Sequence, residues 1–286
     1  LTVDRYNDVL VTQVTSFAIE QRKDFIYQLL LNILNKNNQT VKYIYERNDV
    51  QVRTKEGLEL YKGFYGKQTC STDLVISENH LLLNVDIQNG QKTGYFLDQK
   101  SNRMLIRDMA KGLRVLDCFT HTGGFALNAA SGEAKSVTAV DVSGTALEEA
   151  RKNAEINHFT NMTFVQADVF DYLEEMKEGE FDLIILDPPA FTKSRKTVKQ
   201  AYYGYKRINL EAMKKLENGG FLATCSCSRY METSLFEQML KEAALEANVL
   251  LKQVSVTQQN HDHPILWSME ETSYLKFFIF QIVKEK

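Results

Sequence analysis

A doubly wound parallel α/β sheet, edged by an antiparallel C-terminal hairpin and preceded by a small α+β unit, is the fold class this chain predicts. Three observations carry it. From Gly112 onward, short apolar runs alternate with segments of helical spacing, the pattern of βαβ units. Four successive runs end in an acid or a glycine-bearing turn: the stretch from Asp117 to Phe125, then Asp141, Asp168 and Asp187. The last two apolar runs, 250–257 and 274–283, have no helical pattern between them, which implies antiparallel pairing at a sheet edge.

In chain order, residues 8–13 read as a strand. Residues 19–34 read as a helix, with Phe25, Leu29 and Ile33 at helical spacing and a polar stop at 35–38. Residues 40–45, 58–65 and 81–87 read as strands, the last followed by the turn-rich Gln88-Asn89-Gly90-Gln91. Gly94 to Gln99 leads into a helix reaching Lys111. The regular part follows: strand 114–118, helix 124–130, strand 136–141 and helix 143–157, whose Ala146, Ala150 and Ala154 repeat every fourth residue. Strand 162–166, helix 169–176, strand 181–186, helix 202–216, strand 220–224 and helix 234–247 complete the alternation. No internal repeat or low-complexity stretch interrupts it. The expected domains are 1–72, a small α+β unit with no motif that names a chemistry, and 73–286, the sheet domain.

The 286 residues are 44% apolar and 25% charged, ordinary for a soluble globular protein with an ample core. No apolar run is long enough to span a bilayer, and the first residues lack the layout of a secretory signal. The chain begins at Leu1 without an initiator Met, which points to a processed or truncated product. Four cysteines in so long a chain do not make a disulfide scaffold, so a reducing cytoplasm is expected. A net charge of −3 argues against a whole-surface polyanion binder but leaves room for a local basic patch.

Two strings carry the chemistry. Asp187-Pro188-Pro189-Ala190-Phe191 ends one buried run, and Thr224-Cys225-Ser226-Cys227-Ser228 ends the next. Ligands of open α/β sheets bind at those carboxyl ends. A carboxylate held by two prolines beside a thiol points to attack on a flat ring whose nitrogen needs a proton partner. The turn Phe119-Thr120-His121-Thr122-Gly123-Gly124-Phe125 lets backbone approach a ligand at a helix N-terminus, although a dinucleotide G-x-G-x-x-G is absent. An acid at 141 suits two ribose hydroxyls, and one at 168 an adenine amino group. Asp168 alone reads equally well as a helix N-cap, but the four strand ends together exceed what capping explains.

Cys225 and Cys227 are two residues apart and point one way in an extended strand, so spacing does not choose between them. Cys225 is still inside the apolar run, where an inert thiol is the default, whereas Cys227 lies beyond it between two serines. Cys70 and Cys118 read as packing residues and His121 as a filler of its turn. His261-Asp262-His263 lacks further ligands, so no metal is expected. Lys193, Arg195, Lys206 and Arg207 interleave with Phe191, Tyr202, Tyr203 and Tyr205, a composition suited to phosphates and unpaired bases.

The ordered series of strand ends resembles the class I S-adenosylmethionine-dependent methyltransferases. With Lys92-Thr93-Gly94-Tyr95-Phe96-Leu97-Asp98-Gln99, Gly204-Tyr205-Lys206, Ser226-Cys227-Ser228 and Asp262-His263-Pro264, the whole chain resembles the RlmI-type large-subunit rRNA cytosine-5 methyltransferases. The resemblance implies a Rossmann-like sheet and S-adenosylmethionine as cofactor. It places the cofactor at Gln99, Asp117, Phe119, Thr120, Thr122, Gly123, Gly124, Phe125, Asp141, Val142, Asp168, Val169, Asp187 and Pro188. It also makes Cys227 the nucleophile and Asp187 its catalytic partner, with Lys193, Arg195, Lys206 and Arg207 toward RNA. Carbon 5 of cytosine is a poor nucleophile until a thiolate adds to C6, which is why the chemistry needs a cysteine. Ala190 stands where related cytosine-5 enzymes carry a second Cys after the prolines.

The implied substrate is a cytosine of 23S ribosomal RNA, flipped out or single-stranded because C6 is shielded in a stacked helix. That family carries a PUA-type RNA-binding domain ahead of the point where this chain begins, and residues 1–72 correspond to its central α+β domain. Two alternatives use the same fold: a guanine-directed rRNA methyltransferase, which needs no thiol, and a noncatalytic RNA-binding protein that retains the cofactor pocket.

Overall fold

Apolar residues near the N-terminus build a four-stranded sheet in the computed structural model, which describes residues 1–284. Strands β1 (Thr2–Tyr6), β2 (Val9–Gln13), β3 (Tyr43–Asn48) and β4 (Tyr61–Phe64) lie in that order. The β2–β3 pair is parallel and the other two pairs are antiparallel. β1 escapes sequence detection because its only apolar side chains, Val3 and Tyr6, do not alternate. Helices α1 (Phe17–Glu20) and α2 (Lys23–Lys36) connect β2 to β3.

The helical stripe Phe25, Leu29 and Ile33 is exposed, at 65%, 41% and 54%. The buried face is instead centred on Tyr27, with Leu30, Leu31 and Leu34 packed near it. Apolar residues occur nearly all around α2, so periodicity does not select a face. A polar group decides it: the Tyr27 hydroxyl meets Thr12 Oγ1 at 2.8 Å and donates to Glu46 Oε1 at 3.2 Å. Lys23 and Tyr61 donate to the same oxygen, so this buried acid is well satisfied.

Strands β5 (Asp73–Glu78) and β6 (Leu81–Asp86) form a separate two-stranded sheet. The chain divides into two units, Leu1–Glu78 with Leu82–Phe96, and Asn79–Leu81 with Leu97–Lys286. The first therefore includes residues that the expected boundary at 72 gave to the second. Tyr6 supplies a reason: its hydroxyl meets Thr93 Oγ1 at 3.0 Å and accepts from the Tyr95 amide at 3.1 Å, tying that segment to β1.

The second unit opens with α3 (Lys100–Met109). It continues through β7 (Arg114–Cys118), α4 (Gly124–Ser131), β8 (Ser136–Asp141), α5 (Gly144–Ile156), β9 (Met162–Gln166), α6 (Val169–Glu175) and β10 (Leu183–Leu186). Helix α7 (Val198–Lys215), β11 (Phe221–Ser226), α8 (Thr233–Ala247), β12 (Leu250–Thr257) and β13 (Lys276–Val283) complete it. The sheet order is β12-β13-β11-β10-β7-β8-β9. β7 to β11 are mutually parallel, and β13 runs antiparallel to both β11 and β12. The expected Rossmann-like sheet with its C-terminal hairpin is present.

Side-chain alternation sends the central strands into two layers. Val115, Leu183 and Ile185 pack with Ile106 of α3 and with Phe125 and Ala129 of α4. Leu116, Ile184 and Leu186 pack with Leu173 of α6, Ile208 and Met213 of α7 and Phe236 of α8. Every residue of β10 is fully buried, so each contributes roughly 1.5–3 kcal/mol of apolar transfer energy. The chain leaves β7 toward β8 on one side and reaches β10 on the other, which makes the β7/β10 boundary the switch point where ligands of such sheets bind. Among the described residues no helix is long and apolar enough to cross a membrane, and no cluster of three or more His, Cys, Asp or Glu is placed to hold a metal.

Candidate active site at the sheet switch point

Asp117 sits near the end of β7 and is almost wholly buried. Its Oδ2 accepts from Thr120 Oγ1 at 2.6 Å and from the Ala126 amide at 2.9 Å, pinning both ends of the turn between β7 and α4. Its Oδ1 is buried without a partner. Burial is the main force pushing this carboxyl up to about 7; the Thr120 bond opposes it, and the charges of Asp187 and Asp141 add to it. The turn is tight. Phe119 and His121 both hold positive φ, at 62° and 52°, a sparsely populated region for such side chains. Gly123 caps α4 at φ 87°, and a Cβ there would meet the Ala150 Cβ at 3.2 Å. Thr122 and Gly124 are partly exposed, whereas Thr120 and Phe125 are buried, Phe125 stacking on Phe277.

Asp141, at the end of β8, accepts from the His121 amide at 2.9 Å and from the Ser143 amide at 2.9 Å. It therefore braces the same turn from the neighbouring strand. Val142 beside it is 68% exposed, a large apolar side chain at the mouth of the site. Asp168 caps α6, accepting from the Phe170 amide at 2.7 Å, and is exposed, while the Val169 side chain is buried. The capping reading of Asp168 is thus realised, and its solvent-facing side is still accessible to a ligand.

Asp187 follows β10, and its Oδ1 accepts from Gln99 Nε2 at 3.1 Å and from the Cys225 thiol at 2.7 Å. Gln99 is buried, and its amide orientation is set by Asn102, which donates to Gln99 Oε1 at 2.6 Å. Asn102 is held in turn by Thr257 Oγ1 at 2.7 Å. Gln99 thus spends its amide on the carboxylate and the thiol rather than standing open to a ligand. Asn102 and Thr257 were not singled out in the sequence, because nothing local connects residues 102, 187 and 257. Pro188 is buried and Pro189 exposed.

The two neighbouring thiols differ sharply. Cys225 is fully buried, and burial first, then the Asp187 charge, push its thiol well above the ordinary range. Cys227 lies one residue past β11, is partly accessible, and sits 4.0 Å from the Pro188 carbonyl oxygen. The serines on either side of it are clamped: Ser226 Oγ donates to Tyr205 Oη at 3.0 Å, and Ser228 Oγ meets the same oxygen at 2.8 Å. Cys225 therefore touches the site directly and does more than fill space.

The basic candidates separate as well. Lys193 and Arg195 are exposed, and Arg195 lines a cavity with Tyr230, Glu232 and Gln238. Lys206 pairs with Glu246 at 2.9 Å, and Arg207 donates from Nε to Glu174 at 3.0 Å while lying over the Phe170 ring. Of the aromatics interleaved with them, Tyr205 is fully buried against Phe191, whose ring also packs near Phe119 and Phe170; Tyr203 is exposed. Tyr205 and Phe191 thus belong to the wall of the site and not to an outer stacking surface.

A profile of the S-adenosylmethionine-dependent methyltransferases matches residues 63–280. Ribosomal RNA large subunit methyltransferase I of Aeromonas salmonicida is 44% identical over 280 residues, 96% of this chain and 69% of that protein. The chain belongs to that methyltransferase family. The enzyme of the same name from Aliivibrio fischeri is 41% identical over 287 residues, 99% of this chain and 71% of its own length. Among solved structures, a Streptococcus mutans protein described as an S-adenosylmethionine-dependent methyltransferase superposes with a TM-score of 0.81 at 24% identity, covering 98% of this chain and 70% of that one. The tRNA m1G37 methyltransferase of M. jannaschii gives 0.63 at 18% identity, covering 99% of this chain and 75% of that one. At such identities these two show the shared fold alone.

S-adenosylmethionine is the cofactor of this family, and the site fits it. The ligand is a cation at its sulfonium and amino groups. The switch point offers a buried carboxylate oxygen with no partner and a second acid on the adjacent strand.

The raised Asp117 carboxyl has a consequence for stability. Its folded value lies above the unfolded one, so its contribution is fully present below about 3.8 and is lost as pH rises through about 7. Relative to Asp117→Asn, the cofactor-free wild type should lose about 2 kcal/mol of stability between about pH 5 and about pH 8. Urea midpoints at both pH values measure this, and a constant difference between the two proteins would show that Asp117 stays ionised throughout.

Proposed function

We propose that this chain transfers a methyl group from S-adenosylmethionine to C5 of a cytosine in large-subunit ribosomal RNA. One observation carries the reading: beyond adjacent parallel strands, an accessible thiol at Cys227 and a carboxylate at Asp187 flank the Pro188–Pro189 turn. Relatives at 41–44% identity that are named for ribosomal RNA of the large subunit support the substrate class. A cytoplasmic location accompanies that substrate.

In this reading Cys227 adds as thiolate to C6, which makes C5 enamine-like. The bound cofactor supplies the methyl group that C5 takes up. A base then removes the C5 proton, and the C6–S bond breaks to return the thiolate. Cys227 takes this role over Cys225 because a nucleophile needs access and a stable thiolate, and burial beside Asp187 denies Cys225 both. Asp187 answers the developing charge at ring N3 and the exocyclic amine, with Gln99 orienting it. Asp117, the Phe119–Phe125 turn, Asp141, Val142, Asp168, Val169 and Pro188 hold the cofactor. Lys193 and Arg195 make the main RNA contacts, and residues 1–72 act as an accessory RNA-binding unit. Lys206 and Arg207 contribute less, since each already sits in an ion pair.

Asp141→Ala should weaken S-adenosylmethionine binding by about 1.5–3 kcal/mol, the scale of a charge-assisted hydrogen bond. Unchanged affinity in calorimetry would remove Asp141 from the ribose role. Replacing both Lys193 and Arg195 with Ala should lower RNA affinity and flatten its salt dependence by about two phosphate contacts, leaving cofactor affinity unchanged. An unaltered salt slope would place the RNA elsewhere on the protein.

The chemistry is tested by RNA bearing 5-fluorocytosine at the target position, where fluorine blocks the elimination that frees the thiol. Wild type should be trapped as a covalent complex with the adduct on Cys227, and Cys227→Ala should lose methyl transfer while still binding the cofactor. An adduct on Cys225 would move the nucleophile by two residues. Turnover by Cys227→Ala without any adduct would favour guanine as the target. Stoichiometric RNA binding with no turnover at all would make the chain a binding protein.

A further inference from the structure

Lys276 is an unusual residue to find at the start of a sheet strand. It is 4% exposed, with its Nζ donating to the Ser228 carbonyl at 2.8 Å. It pairs in register with Ser226 across the antiparallel β11–β13 ladder. The side chain thus starts opposite the residue before Cys227 and ends on the residue after it. A buried ammonium is costly to desolvate, and an apolar side chain of the same length would fill this place without that cost. Burial does push Lys276 down to about 8, while the neighbouring Cys227 and Cys225 thiols pull the other way.

Among the described residues, the titratable groups near Cys227 include Cys225 of β11, with Asp187 beyond β10 beside it, Tyr205 of α7 and Lys276 of β13. The first three can add only negative charge when they ionise, which disfavours a thiolate nearby. Lys276 is the cation of the set.

We propose that Lys276 is a positioning residue for Cys227: its buried ammonium fixes the Ser226–Ser228 segment through the Ser228 carbonyl and supplies the positive charge that favours the thiolate. This rests on Cys227 being the nucleophile. The backbone bond sets where the sulfur lies, and the charge offsets the acidic neighbours. Tyr205 completes the clamp from the other side through both serine hydroxyls. The role is distinct from proton abstraction, because the ammonium is covered by protein and reaches the thiol's own segment.

The test is the pH dependence of Cys227 alkylation by iodoacetamide, followed by peptide mass spectrometry so that Cys70 and the buried thiols are counted separately. In the wild type, the midpoint should lie below the free-cysteine value of about 8.5. In Lys276→Met it should rise by about one pH unit or more, slowing alkylation at neutral pH about tenfold. Lys276→Arg should restore part of the shift. S-adenosylmethionine affinity reports folding of each variant. A wild-type midpoint at or above the free-cysteine value overturns the proposal without any variant, and so does an unmoved midpoint in folded Lys276→Met. Failure of the nucleophile reading has a different signature: Cys227→Ala keeps turnover, whatever the alkylation profile shows.

Discussion

Parallel pairing of β7 with β10 is the constraint on which the rest of the site depends. It sets Ile185 opposite Asp117 and Leu186 opposite Cys118, so two acids emerge at neighbouring strand ends. The strands are held there by two apolar layers, not by the acids, which repel each other. That repulsion and the burial of Asp117 both disfavour its ionised form. A cationic ligand reverses the sign of the interaction. The sheet thus stores, in the proton affinity of one carboxyl, part of the selectivity for what binds beside it.

The neighbouring strand β11 extends the same logic to sulfur. Its register with β10 brings Thr224 opposite Leu186, and the next residues place Cys225 near the end of the ladder with β13 and Cys227 just past it. The end of β11 at Ser226 then separates them by environment. Cys225 turns into the layer of Phe125 and Phe277 and becomes an inert donor to Asp187. Cys227 leaves the ladder and keeps access to solvent. A relay from Thr257 through Asn102 and Gln99 to Asp187 fixes the carboxylate from the far side. Asn102 and Gln99 each accept from one neighbour and donate to the next, so a change at Asn102 would be felt two links away, at Asp187.

Covering that layer is what the aromatic residues do. Phe191, Tyr205 and Phe236 pack in series from the turn after the prolines through α7 to α8, tilted and then edge-to-face, with centroid separations of 4.6 and 5.6 Å. Tyr205 adds a hydroxyl where the Ser226–Ser228 segment needs a partner. Gly204 permits this packing, since a Cβ there would meet Phe191 at 3.2 Å. The string Gly204-Tyr205-Lys206 therefore combines a close approach, a buried hydroxyl and a surface cation in three residues.

By itself the sequence determined the doubly wound sheet, the strand ends that carry Asp117, Asp141, Asp168 and Asp187, and the family. These are local signals: strand runs four to eight residues long, each closed by an acid or glycine, survive without knowledge of their neighbours. Strands β7, β8 and β9 match the expected spans for that reason. Tertiary structure alone decided the buried face of α2, where a tyrosine hydroxyl seeking Glu46 outweighs three exposed apolar side chains. It alone joined Gln99, Asn102 and Thr257 to Asp187, and set Lys276 against Ser228. It also gave Cys225 and Cys227 their different hydrogen-bond partners, Asp187 for one and the Pro188 carbonyl for the other, although they stand only two residues apart. Desolvation and hydrogen-bond partners come from residues distant along the chain, so burial and proton affinity stay unreadable until the strands are paired.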